Sequence, residues 1–107
     1  MFDPVEEQLQ AYNARDLARF LACYTDEVRF EDGDSNLLYE GIAQMRENYG
    51  ASFARFPQAD CRIVSRVRIG NYVIDEERIT GMGPTEYYAV VIYRVDGDKI
   101  GLVRVLS

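Results

Sequence analysis

Cys61-Arg62-Ile63-Val64-Ser65-Arg66-Val67-Arg68-Ile69, then Gly70-Asn71, then Tyr72-Val73-Ile74-Asp75-Glu76-Glu77-Arg78-Ile79-Thr80, is the stretch on which the fold class turns. In its first half Cys61, Ile63, Ser65, Val67 and Ile69 alternate with Arg62, Val64, Arg66 and Arg68, the period-two pattern of a long half-buried strand. Gly70-Asn71 is a hairpin signal, so the second half returns as another strand. Downstream the pattern persists. Gly81-Met82-Gly83-Pro84 turns the chain into a strand over 86–95, and Asp96-Gly97-Asp98 turns it into one over 100–106. Upstream of Pro57 the spacing is helical instead. Asp3 as cap, Pro4 at the first helical position and Glu6 three residues after the cap open one helix, with Val5, Leu9 and Tyr12 on its apolar stripe. Asp16 caps a short second helix carrying Leu17, Phe20, Leu21 and Tyr24, which Thr25-Asp26-Glu27 ends. Val28 to Glu31 and Leu37 to Glu40 read as two short strands about the turn Asp32-Gly33-Asp34. Ile42, Met45, Tyr49, Ser52, Phe53 and Phe56 then form a third helix that Pro57 stops. Helices first and long hairpin-linked strands after them predict an α+β fold on an antiparallel sheet.

The chain has 107 residues, no internal repeat and no linker, so residues 1–107 are expected to form a single domain. Twelve basic residues stand against eighteen acidic ones, a formal charge of −6. That balance argues against a nucleic-acid or anionic-membrane surface, and no apolar run approaches a membrane span. Histidine is absent from the sequence, which removes histidine-based triads, a histidine general base and imidazole zinc sites. The one lysine, Lys99, sits in a solvated turn. Acid–base chemistry is therefore left to carboxylates, tyrosines and the two cysteines. Cys23 and Cys61 form no ligand cluster and read as buried free thiols, and the carboxylates are scattered, so no metal and no cofactor is expected. The acidic N-terminal stretch lacks a signal-peptide core, and a cytoplasmic setting is expected.

Several phrases resemble a known family. Leu9-Gln10-Ala11-Tyr12-Asn13-Ala14-Arg15-Asp16-Leu17 and Tyr24-Thr25-Asp26-Glu27-Val28-Arg29-Phe30-Glu31-Asp32 resemble the opening of SnoaL-like and steroid-isomerase-like proteins of the nuclear-transport-factor-2-like superfamily. Tyr39-Glu40-Gly41-Ile42-Ala43-Gln44-Met45-Arg46 resembles that family's glycine-led third helix, and Gly70 to Gly81 resembles one of its strands. The resemblance implies a strongly curved sheet wrapped around three helices, a cone with an apolar pocket inside, and a homodimer packed through the outer face of the sheet. It carries little about activity, because the fold hosts isomerases, cyclases, dehydratases and binding proteins. Under the family's strand orientation Ile74, Glu76, Arg78 and Thr80 point inward, with Ala89, Val91 and Tyr93 and then Val103 and Val105. A one-residue slip of register would exchange the faces.

Asp32 falls at the position of the general base in ketosteroid isomerases, which pair an aspartate base with an oxyanion hole of a tyrosine and a protonated aspartate. Neither donor carries over, since the helix position holds Gln8 and the strand position holds Val91 or its neighbour Val90. Steroid isomerisation is thus disfavoured, the oxyanion hole commonly being the largest catalytic contribution. Asp32 is equally read as a turn residue before Gly33. As a catalytic set, Asp32 would be the base, Arg78 would hold an oxygen and Glu76 would orient Arg78. Tyr12, Phe30, Met45, Tyr49, Phe53, Tyr93 and Val103 are the expected ligand-binding side chains, each with core packing as its alternative. The expected function is binding of a small apolar, oxygen-bearing molecule, with carboxylate-assisted isomerisation, cyclisation or hydration where the cone is catalytic. A non-catalytic dimeric module that binds a ligand or partner, and a cone filled by its own thirteen aromatics, are the competing readings. The dimer expectation rests also on a second sheet face that carries Val64, Val73, Val90 and Ile92.

Overall fold

The computed structural model describes residues 2–107. Helix α1 (Pro4–Asn13) starts where the Asp3 carboxylate accepts the amides of Val5 and Glu6, at 3.1 and 3.4 Å. Arg15, in the left-handed region at φ 57°, turns the chain into α2 (Leu17–Leu21), whose first turn is capped by Asp16. Strand β1 (Tyr24–Asp32) then begins at Tyr24, earlier than the polarity of Thr25-Asp26-Glu27 indicates. β2 (Leu37–Glu40) forms a hairpin with it, and α3 (Ile42–Arg55) follows. The remaining strands are β3 (Asp60–Ile69), β4 (Tyr72–Thr80), β5 (Tyr87–Asp96) and β6 (Lys99–Leu106). No helix among the described residues is long and apolar enough to cross a membrane.

All six strands join one sheet in the order β2-β1-β6-β5-β4-β3. Every neighbouring pair is antiparallel except β1 with β6, which is parallel. The sheet is curved and unclosed, and the three helices cover its concave face: the α+β fold that the helices-then-strands order implies, in the cone form that the family resemblance implies. Phe20, Met45, Ile100, Val5 and Val28 are fully buried between the two layers.

Helix α1 lies along the edge strand β3 and is fastened to it in three places. Glu6 binds Arg66 (2.8 Å), Asp3 binds Arg68, and the Asn13 side chain both donates to the Cys61 carbonyl (2.9 Å) and accepts its amide (2.8 Å). Asn13 thereby supplies the partner that an edge strand otherwise lacks. These ties hold Gln8 and Tyr12 over the sheet.

Register decides which side chains face the helices. Asp75 pairs with Val91 and Glu77 with Ala89 across β4 and β5, and residues directly opposite share a face. Val73, Asp75 and Glu77 are buried accordingly, while Ile74, Glu76 and Arg78 stand on the convex face. The inward placement expected for Ile74, Glu76, Arg78 and Thr80 is one residue out of register on this strand, and Val73 moves from the outer face to the inner one for the same reason. The inward placement of Ala89, Val91, Tyr93 and Val103 agrees with the structure.

Candidate functional site

A cavity of about 330 Å³ opens between the helices and the concave face. At its inner end lie Gln8 and Tyr24 with Tyr93, all buried; Tyr87, 41% exposed, and half-buried Met82 border it toward solvent. Aliphatic walls come from Leu9, Ile79, Ala89, Val91, Val103 and Val105.

Among the described residues one acidic side chain lines the cavity, Glu77 of β4. Its carboxylate accepts the Tyr93 hydroxyl at 3.0 Å. Tyr93 in turn receives Gln8 Nε2 at 3.4 Å, and the Tyr24 hydroxyl donates to Gln8 Oε1 at 3.0 Å. Gln8 Nε2 is also held by the Val5 carbonyl at 3.0 Å, which orients the amide. A chain of hydrogen bonds thus runs from Tyr24 through Gln8 and Tyr93 to the carboxylate. Burial disfavours the charged form of Glu77 and pushes its pKa up to about 7, against the pull of the Tyr93 hydroxyl. The charge of Asp75 adds to the rise, and Cys61 and Arg66 oppose it. Asp75 lies one pleat further along the same face and is held in a forked ion pair by Arg66, at 2.6 and 3.0 Å. Burial raises Tyr24, Tyr49 and Tyr93 well above the ordinary phenol value and Tyr39 to about 12, so these hydroxyls remain protonated donors at neutral pH.

The three residues expected to act as a catalytic set are not brought together. Asp32 ends β1 in an Asx turn: its Oδ1 accepts the amides of Asp34 and Asn36, both at 2.9 Å, and its Oδ2 the Asn36 side chain. The Asn36 amide above all holds its pKa below the usual carboxylate value. The residue is a turn builder outside the cavity lining, which corrects its reading as an inward base. Glu76 faces outward, accepting Tyr88 Oη at 2.7 Å and Ser65 Oγ at 2.9 Å. Arg78, on the same convex face, binds Glu86 at 3.0 Å and stacks 5.2 Å from the Tyr88 ring centre.

Of the expected ligand-binding side chains, Tyr12, Tyr49, Tyr93 and Val103 line the cavity. Phe30, Met45 and Phe53 instead form core behind it. Phe30 stacks on Tyr39 with ring centres 4.4 Å apart, Met45 is fully buried, and Phe53 packs edge-on to Tyr12 at 5.5 Å. Glu77, Tyr24, Cys61 and Ser52 are lining residues that sequence reasoning did not single out.

The fold has counterparts. An uncharacterised cystatin-fold protein of Novosphingobium aromaticivorans superposes with a TM-score of 0.86 at 26% identity, covering 97% of this chain and 95% of that one. A candidate polyketide cyclase of Sinorhizobium meliloti gives 0.83 at 11% identity, covering 98% and 94%. A protein of Catenulispora acidiphila with a ketosteroid-isomerase-like fold, solved in complex with trimethylamine, gives 0.74 at 16%, covering 95% and 82%. No curated protein matches the chain in sequence. The family model of the SnoaL-like domain matches residues 5–102, nearly the whole length over which the helices and the curved sheet enclose the cavity, and the chain belongs to that family.

Proposed function

We propose that the cone binds a small, largely apolar, oxygen-bearing molecule and that Glu77 exchanges a proton with it, in a carboxylate-assisted isomerisation, cyclisation or hydration. The observation that carries this reading is a buried carboxyl, 6% exposed, on the wall of a largely apolar and aromatic cavity with a phenol donating to it. A pKa of about 7 suits a group that must both take up and return a proton at neutral pH. The base would take a proton from a carbon beside a carbonyl of the ligand, or from water, and give it back at a second position. Tyr12, Tyr49 and Ser52 line the same cavity and offer hydroxyl donors to that oxygen. The ligand class follows from this chain's own side chains, because likeness at 11–16% identity carries the fold alone.

Non-catalytic binding is the second reading, favoured by Gln8 and by Val91 or Val90, which fall by the family resemblance at the positions of the steroid isomerases' oxyanion donors and are no such donors. Deuterium exchange separates the two. Small cyclic ketones would be incubated with the protein in D₂O and followed by NMR. Catalysis predicts label at the carbon beside the carbonyl, above the buffer rate and lost in Glu77→Gln. A ketone that binds without exchange would sink the proton-transfer role.

The proposal includes a homodimer packed through the convex face. Val67, Ile69, Tyr88 and Leu106 are exposed there, and Ile74, Val90 and Ile92 are half-buried between them, an apolar surface that a second copy of the same face would cover.

A further inference from the structure

The cavity carries charge of one sign. Among the described residues no Lys or Arg lines it, whereas Glu77 and seven aromatic side chains do. The guanidinium whose charge reaches Glu77 is that of Arg66, and its donors are turned elsewhere: Nε and Nη2 to Asp75, Nη1 to Glu6. Three carboxyl groups, Glu6, Asp75 and Glu77, therefore share one guanidinium, and the one on the cavity wall is the one it does not hold.

Ligands of different charge meet this wall differently. A carboxylate or phosphate would set a like charge against Glu77 and find no cation among the lining side chains. A neutral ligand would displace water from the carboxylate and return at most a hydroxyl hydrogen bond, leaving the charge uncompensated. A cation supplies the missing counter-charge in a desolvated setting, and the lining tyrosines other than Tyr12, whose ring already carries the Arg15 guanidinium at 5.5 Å, add cation–π attraction. The 330 Å³ volume, at the small end of ligand pockets, has room for such a group on an oxygen-bearing carbon frame.

We infer that the molecule this cavity takes carries an ammonium group, seated against Glu77 and the surrounding tyrosine rings, and belongs to the small amino alcohols or amino ketones. The inference rests on the reading of the cavity as the ligand site, and narrows the oxygen-bearing class to its cationic members. It also carries a pH dependence. Facing Glu77 are Tyr93 from β5, Cys61 and Arg66 from β3, Asp75 from its own strand, and Tyr12, Tyr24 and Tyr49 from α1, β1 and α3. Burial keeps the thiol and the phenols protonated well above neutrality, and Arg66 stays charged. Glu77 is the member whose surroundings place its titration at about 7, so an ammonium ligand should bind its ionised form and weaken as the pH falls through that value.

Choline and 3,3-dimethylbutan-1-ol share shape and hydroxyl and differ in charge alone, so calorimetric titration of the pair tests the inference on the unaltered protein. At pH 8 choline should bind on the order of tenfold more tightly than the alcohol or better. Its affinity should drop about tenfold or more by pH 5.5, while that of the alcohol does not fall. Glu77→Gln should erase the preference. Equal binding of the two compounds, or a choline preference that survives Glu77→Gln, would overturn the inference. Binding of the alcohol alone would overturn it and leave the oxygen-bearing reading standing. Binding of neither at tens of millimolar would overturn it too, and ketone binding in the exchange experiment would then show whether the cavity is a ligand site at all.

Discussion

Replacing Glu77 by Gln should stabilise the protein, by an amount that grows with pH. The unfolded chain titrates this carboxyl near 4.5 and the folded one near 7. Between those values the folded state holds the proton more tightly, so the stability Glu77 contributes is present at low pH and lost as the pH rises through the window. Below about 4.5 both states are protonated and the substitution is neutral. Above about 7 the folded protein bears the full cost of a buried charge. The distance from 4.5 to about 7, at about 1.4 kcal/mol per pH unit, comes to about 3 kcal/mol. Gln retains an oxygen that can accept the Tyr93 hydroxyl, so the hydrogen-bond chain survives while the charge is removed. Urea midpoints for both proteins across pH 4.5–8.5, at one protein concentration, give the comparison. Asp3, Glu6 and Glu31, whose pKa values are lowered by their hydrogen bonds and ion pairs, destabilise both proteins alike at acid pH and cancel in the difference. A difference that stays flat with pH, or a Gln variant less stable at pH 8, would refute the buried-carboxyl reasoning.

Three other outcomes are expected. Asp32→Ala should cost about 1 kcal/mol through the lost Asx-turn bonds, while Asp32→Asn stays within about 0.5 kcal/mol; chemical denaturation measures both, and neither should alter ligand-induced thermal shifts. Arg66→Met strands the fully buried Asp75 carboxyl and should cost about 3–5 kcal/mol, most of it recovered when Asp75→Leu is added, as denaturation of the single and double variants would show. Light scattering at micromolar concentration should give twice the 12.3 kDa chain mass, and Ile69→Lys on the convex face should halve it.

The fold was legible because its signals are local and repeated. The caps at Asp3 and Asp16, the stop at Pro57 and the alternation after it each act within a few residues. The faces of β4 were not, because both parities of this strand mix one or two apolar residues with charged ones. Val73, Asp75, Glu77 and Ile79 look no more like an interior than Ile74, Glu76, Arg78 and Thr80. Pairing, not composition, resolves them. The two-residue turn Gly70-Asn71 sets Ile69 opposite Tyr72, which brings Arg66 opposite Asp75 as an ion pair on the helix side. A bulge at Val64 then shifts the register, so that Cys61 faces inward beside Glu77. The turn was visible in the sequence; the bulge carries no glycine or proline to mark it.

Moving the carboxylate from Asp32 to Glu77 changes the chemistry as well as the address. Asp32 is gripped by backbone amides that stabilise its anion, and a carboxylate so stabilised is a poor proton acceptor however well it is placed. Glu77 is destabilised as an anion by burial and by Asp75, and is correspondingly the stronger base. Its cost is spread over neighbours that are themselves fixed: Tyr93 through Gln8 to α1, and Arg66 through Glu6 to the same helix. A ligand ammonium arriving beside it would lower that cost at the moment of binding and reduce the basicity of the carboxylate with it, so against such a ligand Glu77 acts first as counter-charge. The helix α1 ties therefore serve the site twice. They hold the Gln8 amide that steadies the Tyr93 hydroxyl, and together with Asp75 they occupy the Arg66 guanidinium, whose charge reaches Glu77.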